Sequence, residues 1–382
     1  MVARIGGAEG WASIAVSQSI GLFCGVVTSL GVNVAGSAHV VLAKTHIEKR
    51  QVYTLNFWAR LPVFVVVTIL GSYISTRIST PAYQLDAALM CVAMTIAGLS
   101  MGWYGIGIGS ARMLVIYEAA PRAILMLISV PIMLSTDKIF VYPLAIILGT
   151  VLGLGLFHLK LYGSLLPPFP GVRLSMRAFK DRTKHTAIDI AGSAYASAPL
   201  PFVAQYGTIS ETASFASSSQ LYRYGLFAIV ATSNTLQSWV LAREGTQKHS
   251  KHLVAIVIHS VIGSVGFIAL LLCGIPLTKI LFGQDLQGTT NILTWFAVAY
   301  VAISLSTPLV RNILIPSGRA AIVLVAVNVS AILGLLGMFV LGPLYGPSGI
   351  AVSYAASEVI GLMILVYPAH SALKQNRKIA SP

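Results

Sequence analysis

Membrane-length apolar runs separated by short polar loops follow one another along almost the whole chain. At about 20 apolar residues per crossing, they predict eleven helices near residues 9–43, 53–76, 82–103, 112–134, 139–160, 185–207, 212–242, 252–282, 289–314, 319–342 and 348–372. Several exceed the thickness of a bilayer, so tilted helices or protruding ends are expected. The twenty residues from Trp11 to Leu30 recur without a gap, 204 positions later, from Phe215 to Asn234. Ala12/Ala216, Ser13/Ser217, Gly21/Gly225, Leu22/Leu226, Phe23/Phe227, Val26/Val230, Thr28/Thr232 and Ser29/Ser233 are identical, and Trp11 matches Phe215. The pattern reads as an internal duplication. Six crossings separate the copies, so they run in the same direction. Two like-oriented lobes around a central cavity is a plan used by alternating-access carriers.

Composition narrows this further. Of 382 residues, 56% are hydrophobic and 9% charged, with a mean hydropathy of +0.82, whereas soluble domains carry about 25% charged residues. The fold class is therefore all-α and polytopic. The net charge of +14 raises nucleic acid as a partner, but the positive residues sit in short loops between apolar runs and mark topology instead. Eighteen Lys and Arg fall at one set of alternate helix ends, including Lys44, Lys49, Arg50, Arg112, Lys160 and Arg319, while Arg4, Arg77, Lys138 and Lys279 fall at the other. The first set marks the cytoplasmic side, placing the C-terminus there and Met1 outside. One composition break stands out at Leu161 to Lys184. Pro167, Pro168 and Pro170 end the preceding helix, and the basic run from Arg173 to Lys184 can lie along anionic lipid headgroups. The chain thus divides into an N-terminal lobe (1–160), a basic cytoplasmic connector (161–184) and a C-terminal lobe (185–382). No secretory leader is expected, since the first apolar run continues unbroken to about Ala43.

The opening Ala3-Arg4-Ile5-Gly6-Gly7-Ala8-Glu9-Gly10 resembles the "ARxLGxxGxG" entry to the second helix of the Wzx-type polysaccharide and O-antigen flippases, a family of the multidrug/oligosaccharidyl-lipid/polysaccharide (MOP) exporter superfamily. Trp103-Tyr104-Gly105-Ile106-Gly107 is similar to that family's cytoplasmic loop before its fifth helix. Leu281-Phe282-Gly283, then Ser317-Gly318-Arg319 before a helix bearing Asn328, then Leu344-Tyr345-Gly346-Pro347-Ser348-Gly349-Ile350-Ala351 followed by Glu358, resemble its C-terminal lobe. The likeness runs over nearly the whole chain. The family has twelve helices, with one before the "ARxLG" segment, whereas Met1 stands directly before that segment here, leaving eleven. The resemblance implies an inner-membrane transporter, not an enzyme, that flips a polyprenyl-pyrophosphate-linked oligosaccharide of an O-antigen, capsule or exopolysaccharide. It also implies H+ or Na+ as coupling ion and other membrane proteins of polysaccharide assembly as partners.

Charges at mid-bilayer cost at least about 2.5–3.5 kcal/mol each, so the few present are the candidates for function. They are Arg60, Arg122 and Arg223, with Glu118, Asp189 and Glu358. A guanidinium suits bidentate contact with pyrophosphate. Against that, Glu118 stands four residues before Arg122 and can neutralise it, and Arg60 is placed to snorkel to the cytoplasmic surface. Arg223 has the strongest case, because its helix continues well past it in both directions. Tyr222, Tyr224 and Gln220 beside it can bind sugars or pack, as can the serines from Ser217 to Ser219. Asp189, Glu358 and Glu118 are candidates for ion coupling, or for ion pairs with the arginines. Pro199 and Pro201 interrupt the sixth helix, and Pro121 and Pro131 the fourth, so each is a hinge or a static kink.

Other chemistries find no support in the sequence. Gly105, Gly107 and Gly109 precede no Lys-Ser/Thr and read as a tight turn, not a nucleotide loop. Cys24, Cys91 and Cys273 lie in apolar stretches as buried small side chains, the histidines lack ligand spacing, and no cofactor or metal is expected. An ion-coupled drug or metabolite exporter of the same superfamily is the alternative transporter, disfavoured because cavity arginines repel cationic drugs. A membrane glycosyl ligase or polymerase is the alternative of another class, disfavoured by outer loops of about ten residues or fewer.

Overall fold

The computed structural model describes residues 1–241 and 246–380, which are helical almost throughout, with no strand among them. They form two compact units, Met1–Pro201 and Phe202–Pro382. The first holds α1 (Val2–Ser29), α2 (Val32–Leu42), α3 (His46–Ile78), α4 (Gln84–Thr95), α5 (Gly102–Ile108), α6 (Ala111–Leu114), α7 (Ala120–Thr136), α8 (Val141–Tyr162) and α9 (Val172–Ser197). The division falls within α10 (Pro199–Tyr206), and the second unit continues with α11 (Ile209–Leu241), α12 (Thr246–Phe282), α13 (Thr290–Pro308) and α14 (Ala320–Ala380).

Eight stretches among the described residues are long and apolar enough to cross a membrane, as the polytopic all-α reading requires. One of them, Ala320–Lys374, has 55 residues. At 1.5 Å per residue it runs to about 80 Å, enough for two crossings. It divides at Gly346 (φ 57°), between Pro343 and Pro347, where the pattern of apolar residues predicted a loop. Helix α11 lies outside the eight. Its serines, tyrosines and Arg223 lower its hydropathy, which marks it as the helix richest in candidate chemistry.

The chain departs from the sequence reading at several places, and α9 begins at Val172, inside the expected connector. The expected single helix 9–43 starts at Val2 and is cut into α1 and α2 by Leu30 (φ 49°) and Gly31 (φ 66°), both left-handed. Leu30 carries no polar signal, so apolar periodicity runs straight through the break. Gly105 and Gly107 lie inside α5, where Gly107 meets Val40 and the Ser37 carbonyl, and the turn is made by Gly109 (φ 75°). Cys24 and Cys91 are buried, but Cys273 is exposed.

The duplicated segments hold equivalent places within their own units. Helix α1 packs on α3 and α4, and α11 packs on α12 and α13. A Cβ at Gly21 would stand 2.7 Å from the Cys91 carbonyl oxygen. Its counterpart Gly225 lies against Tyr300, whose hydroxyl donates to the Gly225 carbonyl at 3.1 Å. Small residues admit such close approach between helices where water supplies no driving force.

Pro121 follows a π-helical turn, Val115–Ala119. In a regular helix its ring would clash with the carbonyl of Tyr117 and leave that carbonyl without a donor, and the wider turn relieves the clash. Gly153 of α8 packs against this same carbonyl, and Gly149 against the backbone of Arg122. Gly153→Leu should therefore push α7 from α8 and cost about 1–3 kcal/mol, seen as a lower unfolding temperature in detergent. An unchanged unfolding temperature would mean that the two helices do not meet at this point.

Candidate functional site

The intramembrane charges fall into two groups, one in each unit. In the first unit the path of the backbone explains the placement of Arg60. After α4 the chain tightens into a 3-10 turn (Ile96–Leu99) and Ser100 is extended, so carbonyls there lose their helical donors. Arg60, on α3 and only 1% exposed, supplies replacements. Its Nη1 donates to the Gly98 carbonyl at 2.8 Å and to the Ser100 carbonyl at 3.3 Å, while Nε donates to the Asn56 carbonyl at 3.0 Å. Its guanidinium carbon lies 5.8 Å from the centre of the Trp103 ring. Arg60 is thus held inside the unit and does not snorkel to the surface.

Ser100 carries the network onward. Its hydroxyl accepts from the Gly102 N–H at 3.0 Å and donates to Glu118 Oε1 at 2.6 Å. Glu118 sits in the π turn, and its Oε1 is 3.8 Å from Arg122 Nη2, both side chains being 26% exposed. Arg122 Nε donates to Thr150 Oγ1 at 2.9 Å, and Thr150 in turn donates to the Ile146 carbonyl at 2.8 Å. Donors and acceptors alternate consistently along the whole path, so Glu118 serves Ser100 and Arg122 together. Nearby, His158 Nε2 meets the Tyr53 hydroxyl at 2.8 Å in a buried aromatic cluster with Phe57, Trp103, Tyr104 and Phe157.

In the second unit the geometry differs. Tyr222 is 3% exposed. It stacks on Phe296 with ring centroids 4.9 Å apart, and its hydroxyl lies 3.3 Å from that of Tyr354 on α14. Arg223, the next residue on α11, is half-buried and makes no hydrogen bond or ion pair among the described residues. Glu358 stands one turn beyond Tyr354 on α14 and is half-buried. Gln220 is half-buried and Tyr224 is 48% exposed.

The serine run serves packing. Ser217, Ser218 and Ser219 are at most 6% exposed, and Ser217 and Ser218 donate to the carbonyls of Ala213 and Ser214 one turn earlier. They do not line an open space. A polar cavity of about 770 Å³ does open at the start of α11, lined by Glu211, Gln284, Asp285, Gln287, Thr290 and Tyr345 among others. Glu211 is already committed to an N-terminal capping box with Thr208.

Asp189 lies on α9 with its side chain outside the described residues. Pro199 and Pro201 open α10 after a break at Ala198. No group of three or more potential metal ligands occurs among the described residues. The sequence reading missed Ser100, Thr150 and Tyr354. Serine and threonine are routine in membrane helices and gave no signal, but the four-residue spacing of Tyr354 and Glu358 on an apolar helix did.

No family model and no curated protein matches the chain. Among solved structures it is similar to a multidrug resistance MATE family transporter of the MOP superfamily in its inward-facing conformation. That match has 13% identity over 100% of this chain and 96% of the other, with a TM-score of 0.68. It is also similar to the lipid II flippase MurJ in an inward closed conformation, at 11% identity over 99% of this chain and 90% of the other, with a TM-score of 0.70. A MATE in the bent conformation matches at 13% identity, covering 100% and 91%, with a TM-score of 0.53. At such identities the likeness is one of fold. The chain shares the all-helical fold of these structures.

Proposed function

We propose that this protein is an inner-membrane flippase for a polyprenyl-pyrophosphate-linked oligosaccharide, working by alternating access, with its C-terminus in the cytoplasm. The observation that supports this reading is the contrast among the three intramembrane arginines. Arg60 is committed to backbone carbonyls and Arg122 to Glu118 and Thr150. Arg223 makes no hydrogen bond or ion pair among the described residues, and its neighbour Tyr222 meets the hydroxyl of Tyr354. A guanidinium held in an apolar unit with no ion pair among the described residues suits an anionic ligand that carries its own charge into the membrane, and pyrophosphate matches its planar fork. The sequence motifs of the Wzx type and the fold shared with a lipid II flippase favour the lipid-linked class. The fold shared with MATE transporters keeps open the alternative of an ion-coupled exporter. Proteoliposomes decide between them. Polyprenyl-pyrophosphate-linked sugar should be translocated and a cationic dye should not, and the reverse result would overturn the reading.

The sequence carries no nucleotide-binding motif, so an ion gradient or the substrate's own gradient is the energy source in this reading, with Asp189 and Glu358 as coupling residues in the first case. A desolvated carboxylate can bind a proton in the working pH range. Asp189→Asn or Glu358→Gln should remove the dependence of transport on a pH gradient while protein in the membrane stays at wild-type amounts. Gradient dependence that survives in both variants eliminates these carboxylates as couplers.

A further inference from the structure

An apolar groove of about 560 Å³ runs between α3 and the start of α9, entirely within the first unit. One wall is Trp58, Pro62, Val63, Val66 and Val67, and the other is Phe169, Val172, Met176 and Phe179. Two contacts build its mouth. Trp58 Nε1 donates to the carbonyls of Pro167 and Pro168 at 3.2 Å, and the Trp58 and Phe169 rings meet edge-on at 5.0 Å. From Trp58 to Val67 the helix rises about 14 Å at 1.5 Å per residue, close to half of the roughly 30 Å hydrocarbon core. The groove therefore extends through one leaflet, from an indole at the interface toward the midplane. Its walls stay open, since Val66, Phe169, Val172 and Met176 are 55–68% exposed.

The charge beside it selects the occupant. At 100° per residue, Val172, Met176 and Phe179 share one face of α9, while Arg173, Arg177 and Lys180 lie about a quarter turn away. Arg173 and Arg177 are exposed. A hydrocarbon chain in the groove would thus carry its headgroup to a row of cations at the rim. We propose that this groove is a binding site for one acyl chain of an anionic phospholipid of the adjoining leaflet, with Arg173 and Arg177 holding its phosphate. The site converts the basic connector from a general electrostatic contact into a fixed one, and it fastens α9 to α3 through bound lipid. It is independent of what the protein transports.

Photo-crosslinking tests it. The full-length protein is placed in vesicles of phosphatidylcholine and phosphatidylglycerol in equal amounts, with an acyl-chain diazirine on one lipid or the other, and adducts are mapped by mass spectrometry. Each basic residue near a membrane surface is worth about fivefold in anionic-lipid binding, so two arginines set a ceiling of roughly 25-fold on the preference. Adducts on residues 58–67 and 169–179 should come predominantly from phosphatidylglycerol, and the doubly substituted Arg173→Ser/Arg177→Ser protein should lose that preference. Both positions are exposed, so the fold is unaffected. Equal yields from the two lipids, or a preference that survives the double substitution, would overturn the proposal.

Discussion

Arg223→Ala is expected to cut export of lipid-linked glycan, per molecule of membrane-inserted protein, by at least about tenfold, because one charge-assisted hydrogen bond contributes about 1.5–3 kcal/mol. The expectation follows from the second unit, where Arg223 has no direct protein partner among the described residues. Removing it breaks no ion pair among the described residues, so the protein should insert and fold as before. Arg223→Lys should restore part of the activity, since an ammonium keeps the charge but not the two-pronged geometry. Complementation of surface glycan, normalised to inserted protein by quantitative immunoblot, measures both. Wild-type export per molecule in Arg223→Ala would end the headgroup-binding role, and a fall in protein abundance alone would assign Arg223 to structure.

The opposite pattern is expected at Arg60. Arg60→Ala removes the donors that serve the Gly98 and Ser100 carbonyls and empties a space where the side chain is 1% exposed. Unpartnered carbonyls at membrane depth cost about 1–3 kcal/mol each, so the loss should reach about 3–5 kcal/mol with the cavity included. The break after α4 would lose its cap, and Ser100 would no longer be held toward Glu118. Folded yield and unfolding temperature should both fall steeply, whereas export per surviving molecule should stay near wild type. A stable Arg60→Ala protein that fails to export would move Arg60 into the substrate site. The two arginines are the same residue type on apolar helices, and these measurements separate them by role.

Much of the fold was legible because a bilayer imposes length and polarity on every crossing. The apolar runs gave the helices close to their observed places, including the break near Gly346, and loop charge gave an expected orientation. Leu30 and the π turn at Val115–Ala119 could not be read in this way. A left-handed leucine and a widened turn keep the apolar composition of their neighbours and leave no mark in periodicity. The same limit applied to the charged residues. Their rarity in apolar helices identified Arg60, Glu118, Arg122 and Arg223, since a membrane-buried charge is too costly to occur without a partner or a use.

Which of those two conditions held was decided elsewhere. Arg60 meets carbonyls 38 and 40 residues away, and Arg122 meets a threonine 28 residues away. Such partners come together only when separate helices pack, and no local pattern encodes them. The sequence by itself determined that the chain is a polytopic helical membrane protein with a repeated segment and a handful of buried charges. The tertiary structure alone decided that Arg60 is bonded to backbone carbonyls and Arg122 to Thr150 within the first unit, while Arg223 follows Tyr222, whose hydroxyl meets that of Tyr354, in the second. The physical reason is that hydropathy is a property of one segment at a time, whereas satisfying a buried charge requires groups from several.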